Sequence, residues 1–172
     1  QQGYIERAVV YHQLPAARGG LYINAMKPLL EDRNVRLGIQ HATHYRQVNE
    51  GLYRGDRRRI RSFADGYGEY SHPTLKAREY DLDKAAEYFA AAGFNTRGSD
   101  GILVNGEGQR LSFVLTIANR GDETTTATIL KEEAQKAGLE LAIDALDPTA
   151  YFTKTFEKNH QIAIHGWDTG YS

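Results

Sequence analysis

The densest chemistry-bearing stretch of this 172-residue chain is a run of arginines, Arg54, Arg57, Arg58, Arg59 and Arg61, relieved only by Asp56. A planar guanidinium grips phosphate or carboxylate through parallel bonds, so such a run can meet a phosphate-bearing molecule or a nucleic-acid backbone, or it can be a solvated loop. Tyr53, Tyr67 and Tyr70 stand nearby and could stack on bases, or serve as ordinary loop residues. His41 and His44 are three apart and can share a helix face, as metal ligands do, but no third ligand stands at a recognisable spacing. His160 and His165 bracket a strand and suggest a metal site even less. The best nucleophile–base pairing, Ser62 or Ser71 with His72, amounts to chance neighbours in a loop. Gly106-Glu107-Gly108 is a lone Gly-x-Gly within a hairpin pattern, and Asp144 and Asp147 have a spacing too common to mark acid–base work. No Gly-x-x-x-x-Gly-Lys, His-Glu-x-x-His or Gly-x-Ser-x-Gly occurs. These residues point to binding rather than catalysis, with no cofactor and no metal.

The elements that would position them read clearly from pattern. Strands are predicted over Ala8–His12 and Leu21–Ala25, joined by Pro-Ala-Ala-Arg-Gly-Gly turn chemistry. A helix is expected from Asn34 to about Thr43, with Val35, Ile39 and Ala42 on one face, and a second from Tyr45 to Tyr53, ended by Gly55. Residues 56–76 are loop-rich. Asp81 is a good N-cap for a helix carrying Leu82, Ala85, Ala86, Phe89 and Ala90, with Gly93 placed for a left-handed C-cap. Ile102–Val104 and Leu111–Ile117 flank a Gly-rich loop and predict a hairpin. The last third alternates regularly: a strand to Ala118, a helix over about Asp122–Ala137, a strand over Leu139–Leu146, a helix over Thr149–Lys158 and a strand over Gln161–Trp167. That alternation predicts parallel pairing through right-handed crossovers, an α/β lobe with β-α-β units.

In such a sheet a ligand meets the loops at the carboxyl ends of the strands. The rule selects Asn119-Arg120-Gly121, Asp147 and Trp167-Asp168-Thr169. Trp167, the one tryptophan, would offer a flat wall for stacking, or pack a core. Arg120 could hold a carboxylate or phosphate beside a helix N-terminus, or be solvated. Asn24, at the end of its strand, reads as a ligand residue or a turn-former.

Bulk properties agree with one domain. Hydrophobic residues make up 41% and charged residues 25%, ordinary for a globular chain, and a net charge of −1 gives no overall pull toward nucleic acid. With no cysteine there are no disulfides or cysteine-held metals, and no apolar run approaches the roughly 20 residues of a membrane-spanning helix. Gln1 at the start and Tyr171-Ser172 just after an apolar strand predict a piece of a longer protein, 1–172 forming a single lobe, with any secretion signal outside it.

Four segments carry a family resemblance. Leu21–Arg36 leads from a strand with Asn24 through Lys-Pro-Leu-Leu-Glu-Asp into Asn34-Val35-Arg36. Tyr80–Glu87 with Ala92-Gly93-Phe94, Gly108–Leu111 with Ile129-Leu130 and Leu139–Leu141, and Ile164-His165-Gly166-Trp167 follow in order. Together they resemble the bacterial extracellular solute-binding proteins of the peptide-transport type. The resemblance implies a fragment of the larger lobe of a two-lobed, periplasmic-binding-protein-like fold with a mixed sheet. It implies a substrate-binding component of an ABC importer, extracytoplasmic, which closes on a solute by hinge motion and docks on permease subunits. The family carries peptides mainly, and also nickel, sugars and opines. Its oligopeptide-binding members place Asp-Tyr from three residues after the Trp to pair with the peptide ammonium. Here Tyr171 keeps its place and joins the expected ligand set, whereas Gly170 stands where the Asp belongs and Asp168 could substitute only through a different backbone turn. The Lys-Pro-Leu-Leu-Glu-Asp turn and Tyr53–Arg59 look closer to a subgroup that takes modified peptides, including peptide–nucleotide antibiotics. Two other readings stand beside this one, an α/β enzyme lobe and a phosphate- or nucleic-acid-binding domain built on the arginine run. With a solute-binding role no nucleic-acid partner is expected, and exposed edge strands would let the isolated piece pair with itself.

Overall fold

The computed structural model of the chain describes residues 18–62 and 64–167, so the strand expected over Ala8–His12 lies outside the described residues. The first described element, β1 (Arg18–Ile23), runs into the turn that Pro28 imposes. Arg36 seals that turn: its guanidinium donates to the carbonyls of Leu30 at 2.7 Å and Glu31 at 2.8 Å, over a Leu30 side chain with no exposure at all. Asp32 then accepts from the Asn34 N–H at 2.6 Å and caps α1 (Arg33–Ala42). The acidic turn seen in the sequence is therefore a helix start. Val35, Ile39 and Ala42 are buried, as their spacing predicts.

α2 (Tyr45–Tyr53) begins at His44 and ends where Arg54 and Gly55 both turn left-handed, at φ 54° and 78°. A loop carrying a short 3-10 turn, Gly68–Tyr70, leads to α3 (Leu82–Ala91), which Asp81 caps through the Lys84 N–H at 3.0 Å. α3 packs on α1 at Gly38, where a side chain would collide with the Phe89 ring: a Cβ there would lie 2.3 Å from Cε1.

One pairing differs from expectation. Beyond Gly93 the chain forms β2 (Phe94–Arg97), which pairs antiparallel with β3 (Leu103–Asn105) in a sheet of their own. The Gly-rich loop keeps hairpin-like bonds, Leu111 N–H to Leu103 O at 2.8 Å and Asn105 N–H to Gln109 O at 3.0 Å. No ladder continues from it into β4 (Ser112–Ala118).

The main sheet has the order β1-β6-β4-β5. From β4 the chain passes through α4 (Gly121–Lys136) to β5 (Glu140–Leu146), then through α5 (Pro148–Phe156) to β6 (Ile162–Trp167) on the other side of β4. Both neighbours of β4 are parallel to it, and β1 closes the far edge antiparallel to β6, giving the expected mixed sheet. Successive strand residues face opposite ways, so each face has its own cover. Phe113, Leu115, Ile117, Leu141 and Ile162 form the main core together with Ala127, Leu130 and Ala134 of α4 and the buried residues of α1 and α3. Ala118 and Ala163, on the other face, pack against Tyr151 of α5 and Leu146.

Gly38→Ala should destabilise the protein by about 1–3 kcal/mol, the usual cost of overpacking, because the Phe89 ring has no exposed side to move toward. Gly51→Ala, on an exposed helical position with nothing within 4 Å of the added carbon, should stabilise it by about 0.5–1 kcal/mol. Urea unfolding midpoints of the two variants check both signs.

Candidate ligand-binding edge

The register fixes which residues meet. β4 and β5 pair Ala118 with Leu146, and β4 and β6 pair Thr116 with Ala163, so the three carboxyl ends rise together and bring Arg120, Asp147 and Trp167 to one edge of the sheet. Arg120 is the N-cap residue of α4, but its side chain makes no capping bond. Its carbonyl accepts from the N–H and hydroxyl of Thr124, at 2.9 and 3.0 Å. Among the described residues the exposed guanidinium has no hydrogen-bond or ion-pair partner, which leaves its donors free for a ligand. Glu123 turns inward instead and accepts from the Ala118 N–H at 3.0 Å, closing the end of β4. Asp147 is committed to structure: it caps α5 by accepting from Thr149 and Ala150 N–H at 3.0 and 3.2 Å. Trp167 ends β6 opposite Arg18 of β1. Asp168, Thr169 and Tyr171 lie outside the described residues.

Sequence reasoning did not single out an aromatic group just behind this edge. The Tyr151 hydroxyl lies 2.5 Å from the Ile164 carbonyl and 2.8 Å from Nδ1 of His165. A carbonyl can only accept, so the one phenolic proton goes to Ile164 and His165 Nδ1 must be the donor to the phenol oxygen. That fixes the imidazole tautomer, with Nε2 unprotonated in the neutral ring. Burial, with Glu123 nearby, pushes the Tyr151 phenol up to about 12, so it stays a proton donor at any physiological pH. Tyr22 and Phe152 set their rings edge-on to His165, at 5.2 and 6.4 Å between centroids. The period-2 alternation of β6, with Ile162 and Ile164 on one face and Ala163 and His165 on the other, was the signal that could have placed His165 toward α5.

Other candidates are placed elsewhere. Asn24 stands at the opposite edge of the sheet, because β1 runs antiparallel to β6. Its amide donates to the carbonyls of Lys158 at 2.9 Å and His160 at 3.1 Å, and its oxygen accepts from the Met26 N–H, which is the work of a turn-former. His41 bonds the Glu79 carbonyl through Nδ1 at 2.9 Å and stacks on Tyr88, while His44 caps α2 by accepting from the Gln47 N–H. Among the described residues no group of three or more His, Asp or Glu side chains is arranged to hold a metal. Asp144 pairs with Lys154 at 2.9 Å. The arginine run is partly tied down. Arg61 donates to Asp65 through Nη2 at 2.6 Å and Nε at 3.1 Å, and Arg58 adds a contact at 3.2 Å. Arg57 lies over the Tyr53 ring, 3.4 Å from its centroid.

With the fold and edge in place, comparison with known proteins identifies the family. Residues 3–172 match the bacterial extracellular solute-binding proteins, family 5 Middle, and the chain belongs to that family. It is 38% identical over 81 residues to a probable ABC transporter-binding protein of Deinococcus radiodurans, a stretch covering 46% of this chain and 14% of that protein. NikA from Brucella suis, solved in complex with Fe(III)-EDTA, has the same fold at a TM-score of 0.76 and 20% identity, over 88% of this chain and 30% of NikA. The oligopeptide-binding protein AppA from Bacillus subtilis, solved with a nonapeptide, gives 0.74 and 20% over 89% of this chain and 31% of AppA. The chain thus spans less than a third of the length of these relatives. The expected family and the α/β fold with a mixed sheet are both borne out.

Two expected outcomes test this geometry. The Arg61 bond, reinforced by its backbone N–H and by Arg58, holds the Asp65 carboxyl down at about 2. A depressed carboxyl stabilises the fold above its unfolded value near 4, and that contribution is lost as pH falls through about 2. The thermal midpoint should therefore drop more steeply between about pH 4 and pH 2 in the unaltered protein than in Asp65→Asn, by a modest margin because both arginines are exposed enough for solvent to screen them. Tyr151→Phe should cost about 1–2 kcal/mol in urea unfolding, the worth of a buried hydrogen bond, and release His165 from its single tautomer as read by imidazole nitrogen shifts.

Proposed function

We propose that the chain is a single-lobe portion of the substrate-binding component of an ABC importer, acting outside the cytoplasm and without catalysis. It captures a peptide or modified-peptide-like solute at the carboxyl edge of β4, β6 and β5, closes on it with the other lobe of the full-length protein and presents it to permease subunits. Membership of the solute-binding family supports the role. The observation that carries the choice of site is the Arg120 guanidinium, without a hydrogen-bond or ion-pair partner among the described residues, on the same sheet edge as Trp167. In this reading Arg120 takes a carboxylate or another acidic group of the solute, and Trp167 stacks on an apolar part of it. Asp168, Thr169 and Tyr171, which follow β6 in sequence, belong to the same ligand set in this reading. Asn24 serves as scaffold at the opposite edge, its amide already bonded on both sides.

With Gly170 at the position where oligopeptide-binding relatives carry an Asp, recognition of a free peptide ammonium is weak here, and solutes modified at that end are favoured. The full-length protein, titrated with free and N-acylated peptides, should show a saturable change in tryptophan fluorescence that Trp167→Phe abolishes. Arg120→Ala should weaken acidic or carboxylate-bearing solutes about tenfold, the loss of one charge-assisted bond. A folded protein whose fluorescence answers to none of these solutes would sink the reading.

A further inference from the structure

At the far end of α4 from Arg120 lies a second concavity, and its chemistry is not that of the sheet edge. A cavity of about 410 Å³ opens between the start of α2, the arginine loop and the segment leading to α3, and Arg46, Arg58, Arg59, His44, Tyr45 and Tyr80 contribute to its wall. Tyr80 anchors it to α4 by donating its hydroxyl to Glu133 at 2.7 Å. Thirteen helical positions separate Glu133 from Arg120, about 20 Å at 1.5 Å per residue, so the two sites are distinct.

The wall presents donors. Arg58 is engaged by Asp65, but Arg59 is not: half-buried, its guanidinium lies 5.7 Å from the Tyr45 ring centroid and has no carboxylate within ion-pairing distance among the described residues. Burial lowers its affinity for a proton, the mark of a cation held partly away from water without full compensation, although Glu79 offsets some of that cost. Arg46 is exposed at the rim and is also without a hydrogen-bond or ion-pair partner among the described residues. His44 accepts from the Gln47 N–H through Nδ1, so its neutral ring carries its proton on Nε2, another donor. Glu79 is the one carboxylate on the wall, against three guanidiniums.

We infer that this cavity is a binding site for a small oxyanion of the phosphate type, seated between Arg59 and Arg46 and bordered by the Tyr45 and Tyr80 rings. Such an anion supplies the missing partner of a half-buried guanidinium and accepts the parallel bonds an arginine fork offers. The site is independent of the solute edge and stands or falls separately from it.

Calorimetric titration of the protein with inorganic phosphate and pyrophosphate, repeated at rising sodium chloride, tests the inference. Expected are saturable binding that weakens with salt, tighter for pyrophosphate than for phosphate, and amide shifts centred on His44–Arg46 and Arg58–Arg59. Arg59→Gln should weaken binding at least about tenfold and Arg46→Gln by a smaller factor, whereas Arg54→Gln, outside the cavity, should leave it unchanged. Should Arg59→Gln fail to fold, the exposed Arg46 variant against Arg54→Gln still decides. Equal losses in Arg46→Gln and Arg54→Gln would show only the general charge of the loop and overturn the site, as would no saturable binding to the natively folded protein.

Discussion

The parallel pairing of β4 on both of its edges is the constraint on which the rest depends. Parallel neighbours cannot be joined by a tight turn, so each connection must leave the sheet, cross a face and return. α4 makes the first crossing and α5 the second, and each face of the sheet thereby acquires a helix and a core. The same constraint sends the three strand ends to one edge, where the chain is freed from the ladder and its side chains can meet a ligand.

Most of the fold was legible in the sequence because local signals agreed with global ones. Asp32, Asp81 and Asp147 cap α1, α3 and α5, and Gly93 and Gly138 take the left-handed geometry that ends helices. What was not legible was non-local. Phe94–Arg97 is four residues long, with only Phe94 buried, and carries no alternation to announce a strand. Its pairing is with Leu103–Asn105, across an intervening turn.

The candidate edge was legible only in part, for a similar reason. The rule that ligands meet strand ends found Arg120, Asp147 and Trp167, yet residue type alone does not say whether a polar side chain is already spent. Asp147 is spent on capping and Asn24 on a turn, whereas the Arg120 guanidinium has no hydrogen-bond or ion-pair partner among the described residues. Nor does the one-dimensional pattern show that Tyr151 and His165, fourteen positions apart, share a proton arrangement behind the edge. The arginine run divides in the same way: Arg58 and Arg61 clamp Asp65, while Arg59 is half-buried beside Tyr45 with no ion-pair partner among the described residues.

The central claim is that the carboxyl edge of β4, β6 and β5, and not the opposite edge, receives the solute. Backbone amide hydrogen exchange of the full-length protein, with and without a bound peptide, measures this most directly. The account predicts added protection at Asn119–Gly121 and at the ends of β5 and β6, with Asn24 and Lys158–His160 unchanged. Protection gathered at the Asn24 turn, with the Arg120 loop indifferent, would contradict it.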